Sequence, residues 1–219
     1  SVIAECALRF GFETITIVDG DKVEESNLNS QNYRMEDIGK PKSEALKEYL
    51  LRINPEAHIT LVNKYIDEDN VEALVKDHDA AINSLVFRSD IPFVFDGWCQ
   101  KYNIPVIHPY NLGWGGLAFV VTPAGPQLKD FYDKWENFEI NFIEHVINYF
   151  KIWGQPKPWI EHIVTRYKDE KDTLPPPQLP VASWIAAGLC VNLLFCIATG
   201  QRTKIYPKFY LSSIIGDMN

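Results

Sequence analysis

The stretch "VDGDKVEESNLNSQ", Val18 to Gln31, decides the fold. It follows Thr14-Ile15-Thr16-Ile17, whose β-branched alternation predicts a strand over Glu13 to Val18, and it precedes "GKPK" at Gly39 to Lys42. A strand that ends on an aspartate, then spends a polar run before a lysine, has two readings. In one, Asp19-Gly20 is ordinary turn chemistry, Ser26, Asn27, Asn29 and Gln31 face water, and Lys42 is a solvated lysine at a helix end. In the other, Asp19 accepts hydrogen bonds from vicinal ribose hydroxyls and Lys42 answers a phosphate. Taken singly, the residues leave both open.

Outward from this stretch, helix and strand alternate. Ser1 to Phe10 has helical composition and Gly11 stops it. Ser43 to Ile53 sets Ala45, Leu46, Tyr49 and Leu50 on one face, with Ser43 as its N-cap, and Asn54-Pro55 ends it. Strands are expected at His58 to Val62, Ala80 to Leu85, Ile104 to His108 and Leu117 to Val121, with helices at Val71 to Lys76 and Ser89 to Tyr102. Pro92 falls in the first turn of the latter, where proline is tolerated. This is the pattern of an α/β, doubly wound, Rossmann-like sheet with parallel strands and ligands at their carboxyl ends.

The character changes after Pro123. Lys129 to Phe150 reads as an aromatic-rich helix, Trp159 to Lys168 as another, and "DTLPPPQLP" (172–180) as a polyproline-like linker. A long apolar helix and a strand around Lys204 to Leu211 follow. The expected organisation is one domain over 1–219: a nucleotide-binding part over 1–122, a helical insert over 124–179, and the apolar helix and last strand over 180–219.

Composition bounds the partners. The 219 residues are 46% apolar and carry a formal net charge of −8, which suits a globular chain and argues against nucleic acid or anionic lipid as the main partner. Val181 to Ala198 is uncharged and nearly long enough to span a membrane, but Ser183 and Asn192 interrupt it and Pro180 and Gly200 bound it. It reads as a helix buried in a core or at a subunit interface. Cys6, Cys99, Cys190 and Cys196 form no C-x-x-C pair, so they read as reduced thiols of a cytoplasmic protein and no metal ligands are assigned.

The combination "VDGDKVEESNLNSQ…DIGKPKSEALKEYLLRINPEAHI" resembles the ThiF/MoeB/HesA family of ubiquitin-like-protein-activating enzymes. That family has a strand ending in aspartate, then S-N-L-x-R-Q, then G-x-x-K before a helix closing in I-N-P. Here these are Val18-Asp19, Ser26 to Gln31, Gly39 to Lys42 and Ile53-Asn54-Pro55, and "KYNIPVI" and "PVASWIAAGLCVNLLFCIATG" resemble later family segments. The resemblance implies that Asp19 holds the ATP ribose and Lys42 neutralises phosphate charge, with Ser26, Asn27 and Gln31 completing the nucleotide-binding set. It implies ATP and magnesium as cofactors, a small ubiquitin-like or sulfur-carrier protein as partner, a homodimer, and adenylation of the partner's C-terminus by positioning and charge stabilisation.

This sequence departs from the family pattern in four places. A strand and a G-x-G-G-x-G loop precede the counterpart of "SVIAECALRFGF" in the family, and Ser1 falls just after that loop; either the chain is a truncated piece or nucleotide binding is lost. Ser30 stands where the motif has arginine, with Arg34 as the nearby candidate substitute; an arginine finger contributes about 10³–10⁵ in phosphoryl transfer elsewhere. Phe87 falls where an aspartate helps hold magnesium, with Asp90 as the nearest downstream carboxylate. No cysteine follows Gly116 as a thioester or persulfide nucleophile, and Cys99 reads as structural. The functional expectations are an adenylation domain with very slow or no exchange as the chain stands, or a catalytically degraded binding subunit of the same fold. A nicotinamide-dependent oxidoreductase comes last, because such enzymes do not need the "SNLNSQ…GKPK" loop.

Overall fold

The computed structural model describes residues 1–132, 134–170 and 178–215. In chain order the regular elements are α1 (Val2–Phe10), β1 (Thr14–Val18), α2 (Lys42–Ile53), β2 (His58–Val62), α3 (Val71–Val75), β3 (Ala81–Ile82), α4 (Ile91–Lys101), β4 (Val106–Asn111), β5 (Gly116–Val121), α5 (Phe138–Ile152), α6 (Pro158–Glu170), α7 (Pro180–Ala198) and β6 (Tyr210–Ser212). Short 3₁₀ turns cover Glu25–Asn29, Met35–Asp37 and Leu128–Asp130. The architecture is mixed α/β, as the alternation implies.

Two sheets carry it. β1 pairs with β2 in parallel, Thr14 opposite His58 through Val18 opposite Val62. The second sheet runs β3-β4-β5-β6. β3 and β4 are parallel, but β4 to β5 and β5 to β6 are antiparallel, which corrects the expectation of parallel strands throughout. The reason is reach: only the short turn between Asn111 and Gly116 joins β4 to β5, whereas a parallel crossover needs a dozen residues or more. His78, just before β3, sets its Nε2 2.8 Å from Thr16 Oγ1 on β1 and so ties the two sheets together.

β5 is buried on both faces along its whole length. Leu117, Phe119 and Val121 face α3, α4 and α5, while Ala118 and Val120 face Cys190 and Leu193 of α7. α7 comes so close that a Cβ on Gly116 would lie 2.5 Å from the Ala186 backbone nitrogen, so only glycine fits there. Asn111 anchors the start of the helix by donating to Leu179 O at 3.0 Å and to Ser183 Oγ at 2.9 Å. α7 has the length and apolar composition to cross a membrane, but its Ala182, Ala186, Ala187, Cys190, Val191 and Leu193 are buried within the fold. Its other face leaves Val181, Trp184 and Phe195 exposed, with Phe10 of α1 edge-on to Phe195 at 5.6 Å.

The insert belongs to the main core. Phe138, Phe142, Ile143, Val146 and Ile147 of α5 join the cluster that holds Phe119 and Tyr206. The expected helix over Lys129 to Phe150 starts later than its composition suggests, because Asn137 takes a left-handed φ of 62° and the helix begins at Phe138. The late strand shrinks to Tyr210–Ser212; Pro207 has no N–H for a ladder. Ser43 does not cap α2. Pro41 occupies the N-cap position, and the fully buried Ser43 Oγ has no hydrogen-bond partner among the described residues. Residues 172–177 of the proline-rich linker lie outside the described residues.

Candidate nucleotide site

Strand β1 delivers Asp19 to its carboxyl end, where the ladder continues one step as Asp19 N–H donates to Val62 O at 3.2 Å. The half-buried carboxylate turns back locally, and its Oδ1 accepts Asp21 N–H at 2.9 Å. Gly20 is required between them, because a Cβ there would sit 2.7 Å from Tyr65 N and 2.9 Å from Tyr65 Cγ.

Residues 39–42 are stitched to this turn. Val23 N–H donates to Lys40 O and Gly39 N–H to Val23 O, each at 2.9 Å, and Lys42 N–H donates to Asp21 O at 2.8 Å. Lys42 is therefore the first residue of α2 and faces the end of β1. Its Nζ lies 3.1 Å from Asp21 Oδ2, with the lysine side chain 13% exposed and the aspartate 50%. The other Asp21 oxygen accepts the Tyr65 hydroxyl at 2.8 Å. The turn thus brings Asp19, Asp21, Lys42 and Tyr65 together.

The electrostatics follow from this packing. Burial pushes the Asp19 carboxyl above its ordinary range, against the Asp21 N–H and the Lys42 charge. Desolvation acts to raise the Asp21 carboxyl too, but hydrogen bonds from Tyr65 and Lys42 and the charges of Lys42 and Arg88 bring it below the ordinary value. An ammonium sheltered beside a helix N-terminus and already answered by a carboxylate is chemically an anion site.

The remaining candidates are placed differently. Ser26 Oγ donates to Glu24 Oε2 at 3.4 Å, and Asn27 Oδ1 accepts Glu24 N–H at 2.9 Å, so both side chains shape the 3₁₀ turn. Gln31 follows that turn, with its N–H on Asn27 O at 3.0 Å. Ser30, the position of the motif arginine, is buried. Arg34 pairs with Glu36 at 3.5 Å and lies over the Tyr49 ring, in a patch next to Glu5 and Arg9. Asp90 is exposed at the N-cap of α4, and among the described residues no hydrogen bond links it to Asp19 or Lys42. Phe87 is filled into an aromatic cluster, 4.5 Å from the Phe138 ring and 5.7 Å from the Phe93 ring. Cys99 is fully buried, and burial pushes its thiol up to about 12, which suits packing and not nucleophilic attack.

Sequence reading missed three members of the site. Asp21 has no assigned role in the sequence reading, Tyr65 lies 44 residues from its partner, and Arg88 is in sequence only a neighbour of Phe87. The acceptors and the cation here fit a nucleotide's ribose and phosphates. Among the described residues no group of three or more His, Cys, Asp or Glu could hold a metal. Where a nucleotide brings magnesium, the metal is commonly held by one or two carboxylates together with the phosphates, so a cluster of three is not required.

The sequence profile of the ThiF family matches residues 1–215. Molybdopterin-synthase adenylyltransferase of Escherichia coli is 36% identical over 116 residues, covering 51% of this chain and 45% of that protein. The SAMP-activating enzyme E1 of Haloferax volcanii is 28% identical over 119 residues (53% and 43%), and the tRNA threonylcarbamoyladenosine dehydratase of E. coli is 27% identical over 128 residues (58% and 46%). The chain spans about half the length of the curated relatives it matches. Among solved structures, PaaA superposes with a TM-score of 0.65 at 21% identity over 96% of this chain and 57% of its own. MccB of E. coli with ATP superposes with a TM-score of 0.62 at 18% identity, over 98% and 61%. These likenesses establish the fold.

Proposed function

The chain belongs to the ThiF family, and from that membership we propose that it binds ATP and transfers its adenylyl group to the C-terminal carboxylate of a small ubiquitin-like or sulfur-carrier protein. The observation that carries this reading is the meeting of Asp19, at the end of a parallel strand, with Lys42, at the start of the next helix, around a carboxylate. In this reading Asp19 accepts the ribose hydroxyls and Lys42 draws charge from the phosphates. The partner's carboxylate forms a bond to the α-phosphorus while the bond to pyrophosphate breaks. Several relatives at 28–36% identity bear names of adenylyltransferases or activating enzymes, which supports the reading. A further relative, at 27% identity, bears the name of a tRNA threonylcarbamoyladenosine dehydratase, so similar chains also serve other substrates.

A second reading has specific support. Phe87, where an acid is expected, serves the core, and the buried Ser30 offers no guanidinium. A binding subunit of the same fold that has lost catalysis fits these two positions. The exposed apolar face of α7, continued by Phe10, favours a homodimer in either case; an obligate interface of that kind should exceed roughly 2,000 Å². The cysteine usage supports a cytoplasmic setting.

Isotope exchange between pyrophosphate and ATP separates the readings. The full-length protein is assayed with each small β-grasp protein encoded nearby. Robust exchange that Lys42→Ala abolishes establishes the adenylating enzyme. No exchange, together with tight binding of one carrier protein, establishes the binding subunit.

A further inference from the structure

Both oxygens of the Asp21 carboxylate are engaged, one by the Lys42 ammonium at 3.1 Å and one by the Tyr65 hydroxyl at 2.8 Å. Its backbone is held as well, because Asp21 O accepts Lys42 N–H and Asp21 N–H donates to Asp19. The lysine is sheltered while the aspartate is half exposed. An incoming anion can therefore neutralise Lys42 well only by taking the place of the Asp21 carboxylate, which has solvent to rotate into. Arg88, on the loop after β3, adds positive charge to the same spot.

We propose that Asp21, steadied by the Tyr65 hydroxyl, is an internal counter-anion that occupies the Lys42 phosphate position and is displaced by the phosphates of an arriving nucleotide. This rests on the nucleotide reading of the site. The carboxylate is a planar two-oxygen anion that engages one ammonium and one hydroxyl, as two oxygens of a phosphate would. It keeps a sheltered lysine from remaining unpaired when no ligand is bound, and it sets a threshold: a ligand must bring more negative charge to Lys42 than Asp21 does. Tyr65 and Asp21 act through Lys42, and so are positioning residues. Every phosphate ligand therefore has to displace Asp21, whereas an uncharged nucleoside does not.

The test is calorimetric binding of ATP, inorganic pyrophosphate and adenosine to the full-length protein and to Asp21→Asn, Tyr65→Phe, Lys42→Met and the Asp21→Asn/Lys42→Met double variant. Loss of an exposed ion-pair competitor should tighten ATP and pyrophosphate about two- to fivefold in Asp21→Asn, since such pairs contribute a fraction of the energy that makes tenfold. Adenosine should bind unchanged. Tyr65→Phe, a conservative change on an exposed ring, should give a smaller gain of the same kind and carries the test if Asp21→Asn does not fold. In the Lys42→Met background the Asp21 effect should vanish. Phosphate ligands that bind the wild type but bind Asp21→Asn no better, or bind it less well, overturn the counter-anion and leave the nucleotide reading standing. Absence of ATP and pyrophosphate binding in both the wild type and Asp21→Asn overturns the nucleotide reading, and the counter-anion with it.

Discussion

Replacing Phe142 by alanine tests whether the 124–179 insert is structurally part of the sheet core. The ring is fully buried and lies 4.6 Å from the Phe119 ring, 5.8 Å from Tyr206 and 6.1 Å from Phe138. Three of these partners come from different segments of the chain, so the surroundings cannot collapse into the space together. Phe→Ala in such a site costs about 3–5 kcal/mol from lost transfer energy and the cavity left behind. For a chain of this size each kcal/mol lowers Tm by roughly 2–4 °C, which places the expected drop near 10 °C. Urea unfolding followed by both tryptophan fluorescence and far-UV circular dichroism measures the loss and the cooperativity. One coincident transition, shifted with an unchanged slope, is expected. A loss below about 1 kcal/mol, or two separate transitions of which only one moves, would show that the insert folds by itself and that its rings are not part of the core.

Two further outcomes follow from the site and its rim. Glu139 is held above its ordinary value of 4.5 by burial, with the Arg88 charge opposing. The native state therefore keeps that proton where the unfolded chain has lost it, and stability falls as pH rises from the unfolded value through the folded one. Glu139→Gln should be more stable than wild type at pH 7 and lose that advantage as pH drops below the ordinary carboxylate range; urea midpoints across pH 3–8 that run parallel for the two proteins would refute this. Gly20→Ala should cost about 1–3 kcal/mol, since its Cβ meets the Tyr65 backbone at 2.7 Å, and should weaken ATP binding together with stability; an unaffected melting curve would contradict the close approach.

The alternation of periods made β1, α2, β2 and α4 legible, because each carries its own signal: β-branched residues, an apolar helical face, or proline in a first turn. Asp19 and Lys42 each stand at the boundary where an element starts or stops, which alone leaves them open to two readings; the family resemblance is what singled them out as candidates. What sequence did not reveal is set by contacts between distant segments. The turn of β5 against β4 depends on how few residues join them, and the pairing of Tyr65 with Asp21 depends on β2 lying beside β1. Composition alone likewise assigned Lys129 to Phe150 to one helix, whereas the left-handed Asn137 delays it. Phe87 and its ring partners from α5 explain why an aromatic occupies an acid's position, but that partnership is invisible until the insert is docked.

The contact between α1 and α7 has a consequence for synthesis of the chain. Ile3 packs against the cluster that holds Cys190 and Leu193, and Phe10 meets Phe195, so α1 finds its main partner almost the whole length of the described chain later. At ribosomal rates that interval is on the order of ten to forty seconds. Leu8 can pack with α2 meanwhile, but the α7-facing side of α1 and, once they are made, the α7 face of β4 and β5 stay bare until α7 emerges, and the long closure must be made before those contacts repay it. Nascent chains arrested before α7 should then be held by chaperones that bind apolar surface, and release should coincide with emergence of the last helix.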